Sequence, residues 1–409
     1  MKFTALSVLL PSIPQSALEL PVDSRLVYIG DSITANGFIT YPISGGTAEN
    51  NSNAGFSSYA NLLSGSRFFV PYRGNKGVPG DTTSYVIARM SAVLALKPTT
   101  AILEIGTNDI SSGLTASAIQ ANLQIIYDGL KAINCIIIQP TILQRFSPNA
   151  LTAPQEIIRQ TVNAWIKART DITPVDAESM NNSTYFADGL HPNVIGAYTL
   201  GSLISPKLAE LIANQNIANT LFPDGPYINV PLMAGLSGTK NTATGTVANG
   251  WGLNSSNAGG STVVGSKSTE DKQIITVSGN YTGTSAWVEL LNSNTVPASV
   301  AGDLLEGVAD IEILSDMTGI AGIDVICSAY NSDYSTYYMN SQALSTFDLT
   351  ANCPLPVGRY TLRTAVSNLA AGAVNFNLFI KIILKNVGST SSPVSGTFKI
   401  WRAGIRKIN

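Results

Sequence analysis

The sequence predicts an α/β unit of three αβα layers on a mainly parallel sheet, followed by an all-β, jelly-roll-like sandwich. Three observations lead there. From about residue 22 to 215, short apolar runs alternate with longer segments of helical periodicity, the pattern of helices covering both faces of a parallel sheet. Past about residue 222 the helical spacing stops and period-two segments separated by Gly, Ser, Asn and Pro take over. A chain of 409 residues is long enough to bury two cores without disulfides or metals. The division is therefore an N-terminal segment, 1–21, an α/β unit, 22–222, and a β-sandwich, 223–409.

In the first half "RLVYIG", "TTAILEIG", "NCIIIQP" and "ITPVDA" read as strands. "TSYVIARMSAVLAL" reads as one helix capped by Asp81 or Thr82, and "TASAIQANLQIIYDGLKA" as a second. "APQEIIRQTVNAWIKART" follows with Pro154 in its first turn, and "NVIGAYTLGSLISPKLAELIA" closes the unit. The second half offers "KQIITVSG", "SAWVELLN", "ADIEILSD", "GIDVICSAY", "GRYTLRTAV", "FNLFIKIILKNV" and "GTFKIWRAG" as strands. From Gln273 to Gly358 there are nine acidic and no basic residues; from Arg359 to Asn409 there are eight basic and no acidic ones. Strands pairing across the sandwich explain such a split, and a subunit interface is the alternative.

Composition excludes several functions. The net charge of −2 leaves no basic excess for a nucleic-acid partner. No stretch is long enough to span a bilayer. One histidine and three cysteines give no zinc spacing, so neither a metal nor another cofactor is expected. Cys135 reads as a buried free thiol, while Cys327 and Cys353 either pair or lie in the core. Only 12% of residues are charged, with Gly, Ser, Thr and Asn plentiful, a composition typical of secreted or surface-displayed proteins. The N-terminal segment has Lys2, a short apolar stretch and small residues near Ala17, as a weak signal peptide has. Pro11 and Pro14 interrupt it early, which argues against cleavage.

The sole histidine, His191, stands in "YFADGLHPNVIGAYTL", three residues after Asp188 and just before a helical run. A carboxylate so placed can hold an imidazole in one tautomer, which has meaning only beside a nucleophile. The first strand ends in "IGDSITANG", which puts Ser32 at the carboxyl edge of the sheet, where open α/β folds bind ligands. Two further blocks belong with it: "NKGVPGDTT", with the backbone N–H of Gly80, and "GTND", with the side-chain amide of Asn108. A serine hydroxyl needs a base, and His191 is the one side chain whose ordinary titration range suits that task. Asp188 would accept the other imidazole N–H, and the N–H groups of Ser32 and Gly80 with the Asn108 amide would meet the oxyanion. Asp31 and Asp109 are assigned to local backbone and to capping of the next segment.

These blocks resemble, in order and spacing, those of the SGNH or GDSL-type hydrolases. The resemblance covers about residues 22 to 215 and rests on Ser32 in "GDSIT", Gly80 in "GVPGDTT", Asn108 in "GTND", and Asp188 with His191 in "DGLHP"; Asn75 also agrees. It implies an SGNH-like fold, a Ser32–His191–Asp188 triad and a Ser32, Gly80, Asn108 oxyanion hole. The polar insertion "TYPISGGTAENNSNAGFSS" departs from the family pattern and is expected to reshape the substrate pocket.

A catalytic domain followed by a β-sandwich resembles the family's carbohydrate esterases, including deacetylases borne on bacteriophage tails. That implies an O-acetylated polysaccharide as substrate, a homotrimer, and an extracellular or virion-associated setting, with a secreted bacterial enzyme as the alternative. Polar loops and the lack of a long apolar lid favour the glycan ester over a lipase or arylesterase acting on lipid or small esters. A non-catalytic glycan receptor-binding protein is the rival from another class. Tyr334, Tyr337, Tyr338 and Trp251 are candidates either to stack on sugar rings or to fill the sandwich core. The second half is expected to position and assemble the enzyme and to leave the chemistry to the first.

Overall fold

The computed structural model describes residues 24–35, 38–42, 49–53, 55–212, 233–296, 300–343 and 349–408. The expected segment 1–21 and the boundary near residue 222 lie outside the described residues. The first unit is built on a five-stranded parallel sheet in the order β4 (Asn75–Gly77), β1 (Leu26–Gly30), β5 (Thr100–Glu104), β6 (Ile136–Pro140), β7 (Thr173–Val175). β1 and β5 are buried throughout, which is why β1 and the centre of β5, Ala101–Leu103, read as apolar runs. Alternation splits β1 between two layers. Leu26 and Tyr28 pack with α2 (Phe56–Leu63) and α8 (Val194–Ala209). Val27 and Ile29 pack with α3 (Thr83–Ala88), α4 (Met90–Leu94), α6 (Ala116–Lys131) and α7 (Ala153–Lys167). Helices thus cover both faces, as expected.

Local chemistry starts the long helices where the sequence placed them. Thr115 accepts from Ala118 N at the head of α6, Thr152 and Gln155 form a capping box on α7, and Asn193 accepts from Gly196 N at the head of α8. The single helix expected from Thr83 to Leu96 is instead two, broken at Arg89. There the guanidinium reaches away to Asp81 Oδ2 (2.7 Å) and Gly30 O (3.0 Å).

Among the described residues the second unit is two mixed sheets. One runs β16 (Tyr337–Ala343), β15 (Ile320–Tyr330), β19 (Asn375–Leu384), β13 (Trp287–Thr295), β10 (Val247–Asn254), β8 (Ser237–Asn241). The other runs β17 (Gly358–Arg363), β14 (Leu304–Ile313), β20 (Gly388–Lys407), β12 (Gln273–Gly283), β11 (Thr262–Lys267), β9 (Thr244–Gly245), with β18 (Ser367–Asn368) beside β14. The acidic and basic blocks meet across neighbouring strands, as in Arg359–Asp310 (2.5 Å), Lys381–Glu289 (3.4 Å) and Lys407–Asp303 (2.7 Å). Trp251 is fully buried, so it belongs to the core and stacks on no sugar; Tyr334 and Tyr337 are exposed and Tyr338 half-buried. All three cysteines are free thiols, Cys135 and Cys327 in apolar cores. No helix among the described residues is long and apolar enough to cross a membrane.

The two units share more than the sequence suggested. The apolar cluster on the α2/α8 face continues without a break into the sandwich core. The polar insertion, expected to shape the pocket, supplies β2 (Phe38–Pro42) and β3 (Glu49–Asn53), an antiparallel hairpin. Its second strand pairs in parallel with β16 and so extends the first sandwich sheet. Arg363 at the end of β17 is buried, pairs with Glu306 at 2.7 Å, and donates to the carbonyls of Ser66 and Phe68 at 2.9 Å each.

Candidate active site

The site forms at the carboxyl edge of the parallel sheet. β1 ends at Gly30, and a four-residue helix, α1 (Ser32–Ala35), begins two residues later. Gly30 allows this sharp turn: a Cβ there would lie 2.1 Å from Glu104 O and 2.2 Å from Thr34 Oγ1. Asp31 is buried beneath the turn, and its Oδ1 accepts from Ile33 N at 2.9 Å, the local backbone role expected of it. Ser32 is half-buried and heads the helix.

His191 arrives from the opposite side, in the loop that precedes α8. Its Nε2 lies 2.8 Å from Ser32 Oγ and its Nδ1 2.7 Å from Asp188 Oδ2. Asp188 also accepts from Leu190 N (2.9 Å) and His191 N (2.7 Å) through Oδ1. Burial works to raise this carboxyl, but those N–H groups and the imidazole outweigh it and hold Asp188 at about 2. The three sequence-selected residues therefore form one continuous hydrogen-bonded line.

Gly80 sits in the loop after β4, at φ +83°, a conformation that favours glycine, and empty space surrounds the position of a Cβ. No acceptor among the described residues takes the N–H of Ser32 or of Gly80. Asn108 lies in α5 (Thr107–Ser111); its Nδ2 donates to Asp81 O at 2.9 Å and stands 3.4 Å from Asp31 Oδ2. Asn75 ties the second block to the Ser32 turn, since its Nδ2 donates to Thr34 O at 2.9 Å and its Oδ1 accepts from Gly77 N at 2.8 Å. Asp109 caps an earlier segment than expected, accepting from Thr83 N at the start of α3, and so fastens the Gly80 loop to α5.

Two groups escaped the sequence reading. Glu104, the last residue of β5, is buried with neither carboxyl oxygen hydrogen-bonded. Burial, with the neighbouring Asp31, pushes it well above the usual range, against the Arg145 guanidinium. Burial pushes Asp31 to about 7, against the Ile33 N–H and the Arg145 guanidinium. Arg145 is the second omission. Its Nε donates to Thr107 Oγ1 at 2.8 Å, and its Nη2 reaches Thr107 O (3.0 Å), Asn108 Oδ1 (3.3 Å) and Ser111 Oγ (3.4 Å). No motif marks it, but its position did: it follows β6 by five residues and so reaches the same sheet edge as the four blocks.

Residues 28–197 match the GDSL-like Lipase/Acylhydrolase family, an interval that contains Ser32, Gly80, Asn108, Asp188 and His191. No curated protein matches the chain. Among solved structures, a catalytic mutant of the acetylxylan esterase Axe2 from Geobacillus stearothermophilus is similar at 21% identity, over 48% of this chain and 100% of that one, with a TM-score of 0.38. The lipase/acylhydrolase from Enterococcus faecalis is similar at 22% identity over 47% and 99%, TM-score 0.36. A GDSL-like lipase from Bacteroides thetaiotaomicron is similar at 18% identity over 45% and 87%, TM-score 0.35. The likeness to the GDSL-like lipase/acylhydrolase family is therefore that of residues 28–197, the stretch that holds the whole hydrogen-bonded line.

Proposed function

We propose that this protein is a serine esterase that removes acyl groups, O-acetyl in the first instance, from a polysaccharide. The observation that carries the reading is the line Ser32 Oγ–His191 Nε2–His191 Nδ1–Asp188 Oδ2, with steps of 2.8 and 2.7 Å across the two hydrogen bonds. With Nδ1–H donated to the Asp188 carboxylate, Nε2 is left as the lone-pair nitrogen facing the hydroxyl. His191 takes the Ser32 proton as Oγ attacks the ester carbonyl, and the imidazolium then returns that proton to the leaving sugar oxygen. Water, activated by the same nitrogen, releases the carboxylic acid from the acyl-serine. Negative charge on the tetrahedral intermediate meets the N–H groups of Ser32 and Gly80, which no acceptor among the described residues takes, and the Asn108 Nδ2–H that stands 3.4 Å from Asp31.

The glycan part of the reading rests on surroundings. Asn75 bonds to the Ser32 turn, and Asp81, Asn108 and Arg145 form a hydrogen-bonded chain at the same sheet edge, a polar setting that suits a hydroxyl-rich substrate better than a fatty chain. Exposed Tyr334 and Tyr337 flank Tyr330, with ring centroids 5.3 and 4.5 Å from it, at the connection between β15 and β16, which can present rings to a sugar. The test is acetate release from a panel of O-acetylated polysaccharides, with a long-chain ester included and Ser32→Ala as control. Acetate release that vanishes in folded Ser32→Ala is the expected result. Turnover of the long-chain ester alone would replace the polysaccharide with a lipid, and a folded Ser32→Ala protein with undiminished turnover would overturn the mechanism.

A further inference from the structure

α5 is short, and the residue before it, Gly106, is left-handed at φ +119° and gives the helix no side-chain cap. The hold on its first turn comes from outside, from Arg145. One guanidinium takes the hydroxyl and carbonyl of Thr107 and the Oδ1 of Asn108, at 2.8, 3.0 and 3.3 Å. A guanidinium has donors only, so the end of the Asn108 amide that faces it must be the oxygen. The amide nitrogen is thereby turned to Asp81 O at 2.9 Å and toward the Ser32 turn. The opposite orientation would set N–H against N–H at Arg145 and oxygen against oxygen at Asp81. Both ends select the same flip, and Arg145 supplies the stronger, charged half of that selection. Burial bears against the half-buried cation, and the nearby Asp31 and Glu104 offset it only in part.

We propose that Arg145 is a positioning residue of the esterase site: it keeps the N–H of Asn108, not its carbonyl, turned toward the oxyanion. The proposal rests on the serine-esterase reading above. Without Arg145 the amide can turn over and present a lone pair to the developing negative charge, a loss confined to the transition state.

The test is a double-mutant cycle on the full chain with p-nitrophenyl acetate, comprising wild type, Arg145→Met, Asn108→Ala and the double variant, with Ser32→Ala beside them. Removing one oxyanion donor typically lowers kcat by about 10²–10³. Arg145→Met, which misdirects that donor, is expected to lower kcat by about 10–100-fold and to leave KM within about two-fold. In the Asn108→Ala background, with no amide left to orient, the same change is expected to cost less than about two-fold. Arg145→Lys, which keeps a donor-only cation, should recover part of the loss, and it takes the place of the Met variant in the cycle if that variant does not fold. Equal fold-losses in both backgrounds, or an unchanged kcat in Arg145→Met, would overturn the proposal. Turnover surviving in Ser32→Ala would instead overturn the underlying esterase reading.

Discussion

Arg363 gives the sharpest stability prediction, because its side chain ties two units together through countable groups. It is buried, and so is its partner Glu306, whose second guanidinium partner is Arg406 at 2.7 Å. Arg363→Met keeps volume and removes the charge. Glu306 then retains Arg406 alone. Phe68 O retains Asn61 Nδ2 at 3.1 Å, but Ser66 O loses its Arg363 donor. Breaking a buried pair outright costs about 3–5 kcal/mol, and stranding a buried carbonyl about 1–3. One partner survives at Glu306, and the two losses share one side chain, so they do not add in full. The expected cost is about 3–5 kcal/mol, a large part of a typical folding stability.

The assay is thermal and guanidinium denaturation followed by circular dichroism, with small-ester turnover measured at 25 °C on the folded protein. Arg363→Met should lower Tm by several degrees or more and leave kcat unchanged, since Arg363 bonds to none of the Ser32–His191–Asp188 line. Burial pushes the Glu306 carboxyl up, but Arg363 and Arg406 outweigh it and hold it below its usual 4.5. A depressed carboxyl stabilises the fold above its unfolded value and ceases to do so as pH falls through the folded one. The gap between wild type and variant should therefore narrow below pH 4.5. A Tm within about 1 °C of wild type, or a gap that does not change with pH, would refute the reasoning.

Three other outcomes are expected. Asp31, raised from 3.8 to about 7 by burial, destabilises the fold increasingly as pH climbs between those values, because the unfolded chain sheds the proton first. Asp31→Asn should therefore stabilise at pH 8 by up to about 4 kcal/mol and by little at pH 4, and equal gains at both would contradict this. Asp188→Ala should leave about 10–100-fold more turnover than Ser32→Ala, because Asp188 orients the imidazole and exchanges no proton; equal inactivity in two folded variants would deny it that subsidiary role. A chain ending at residue 222 should fail to accumulate as a folded monomer, as judged by sedimentation and circular dichroism, although every proposed catalytic residue precedes it. A soluble truncated protein with wild-type kcat on a small ester would show that the shared core is dispensable.

Much of the first unit was legible because its physics is local. β1, β5 and β6 are covered on both faces and so read as apolar runs, and the four site blocks follow or begin at strand ends. What escaped depends on distant partners. "ENNSN" has no apolar alternation, and β3 is a strand because the edge of β16 offers it main-chain partners. Arg89 breaks a helix of sound periodicity for the sake of Asp81 and Gly30 O. Trp251 lies in a Gly- and Asn-rich stretch that left core and sugar-stacking roles both open, and only the packed sandwich core, which closes over it, decides between them. Arg145 carries no motif at all; only its distance from the end of β6 hinted at the site.

The insertion changes what the division into two halves means. β2 begins six residues after Ser32, and the hairpin it opens belongs to the sandwich sheet. The chain returns to α2, whose buried face joins Tyr59 and Phe56 to the same apolar cluster as the sandwich strands. Pulling the halves apart would break the pairing of β3 with β16, strand the Ser66 carbonyl and expose that cluster together. None of these contacts touches the hydrogen-bonded line at Ser32, yet the β3 pairing and the Ser66 carbonyl follow it closely in sequence. All the proposed catalytic residues thus lie outside the sandwich, and the segment that follows Ser32 pairs with it. Substitutions at the β3–β16 pairing should accordingly register first in stability, and in turnover only once the Ser32 turn itself is disturbed.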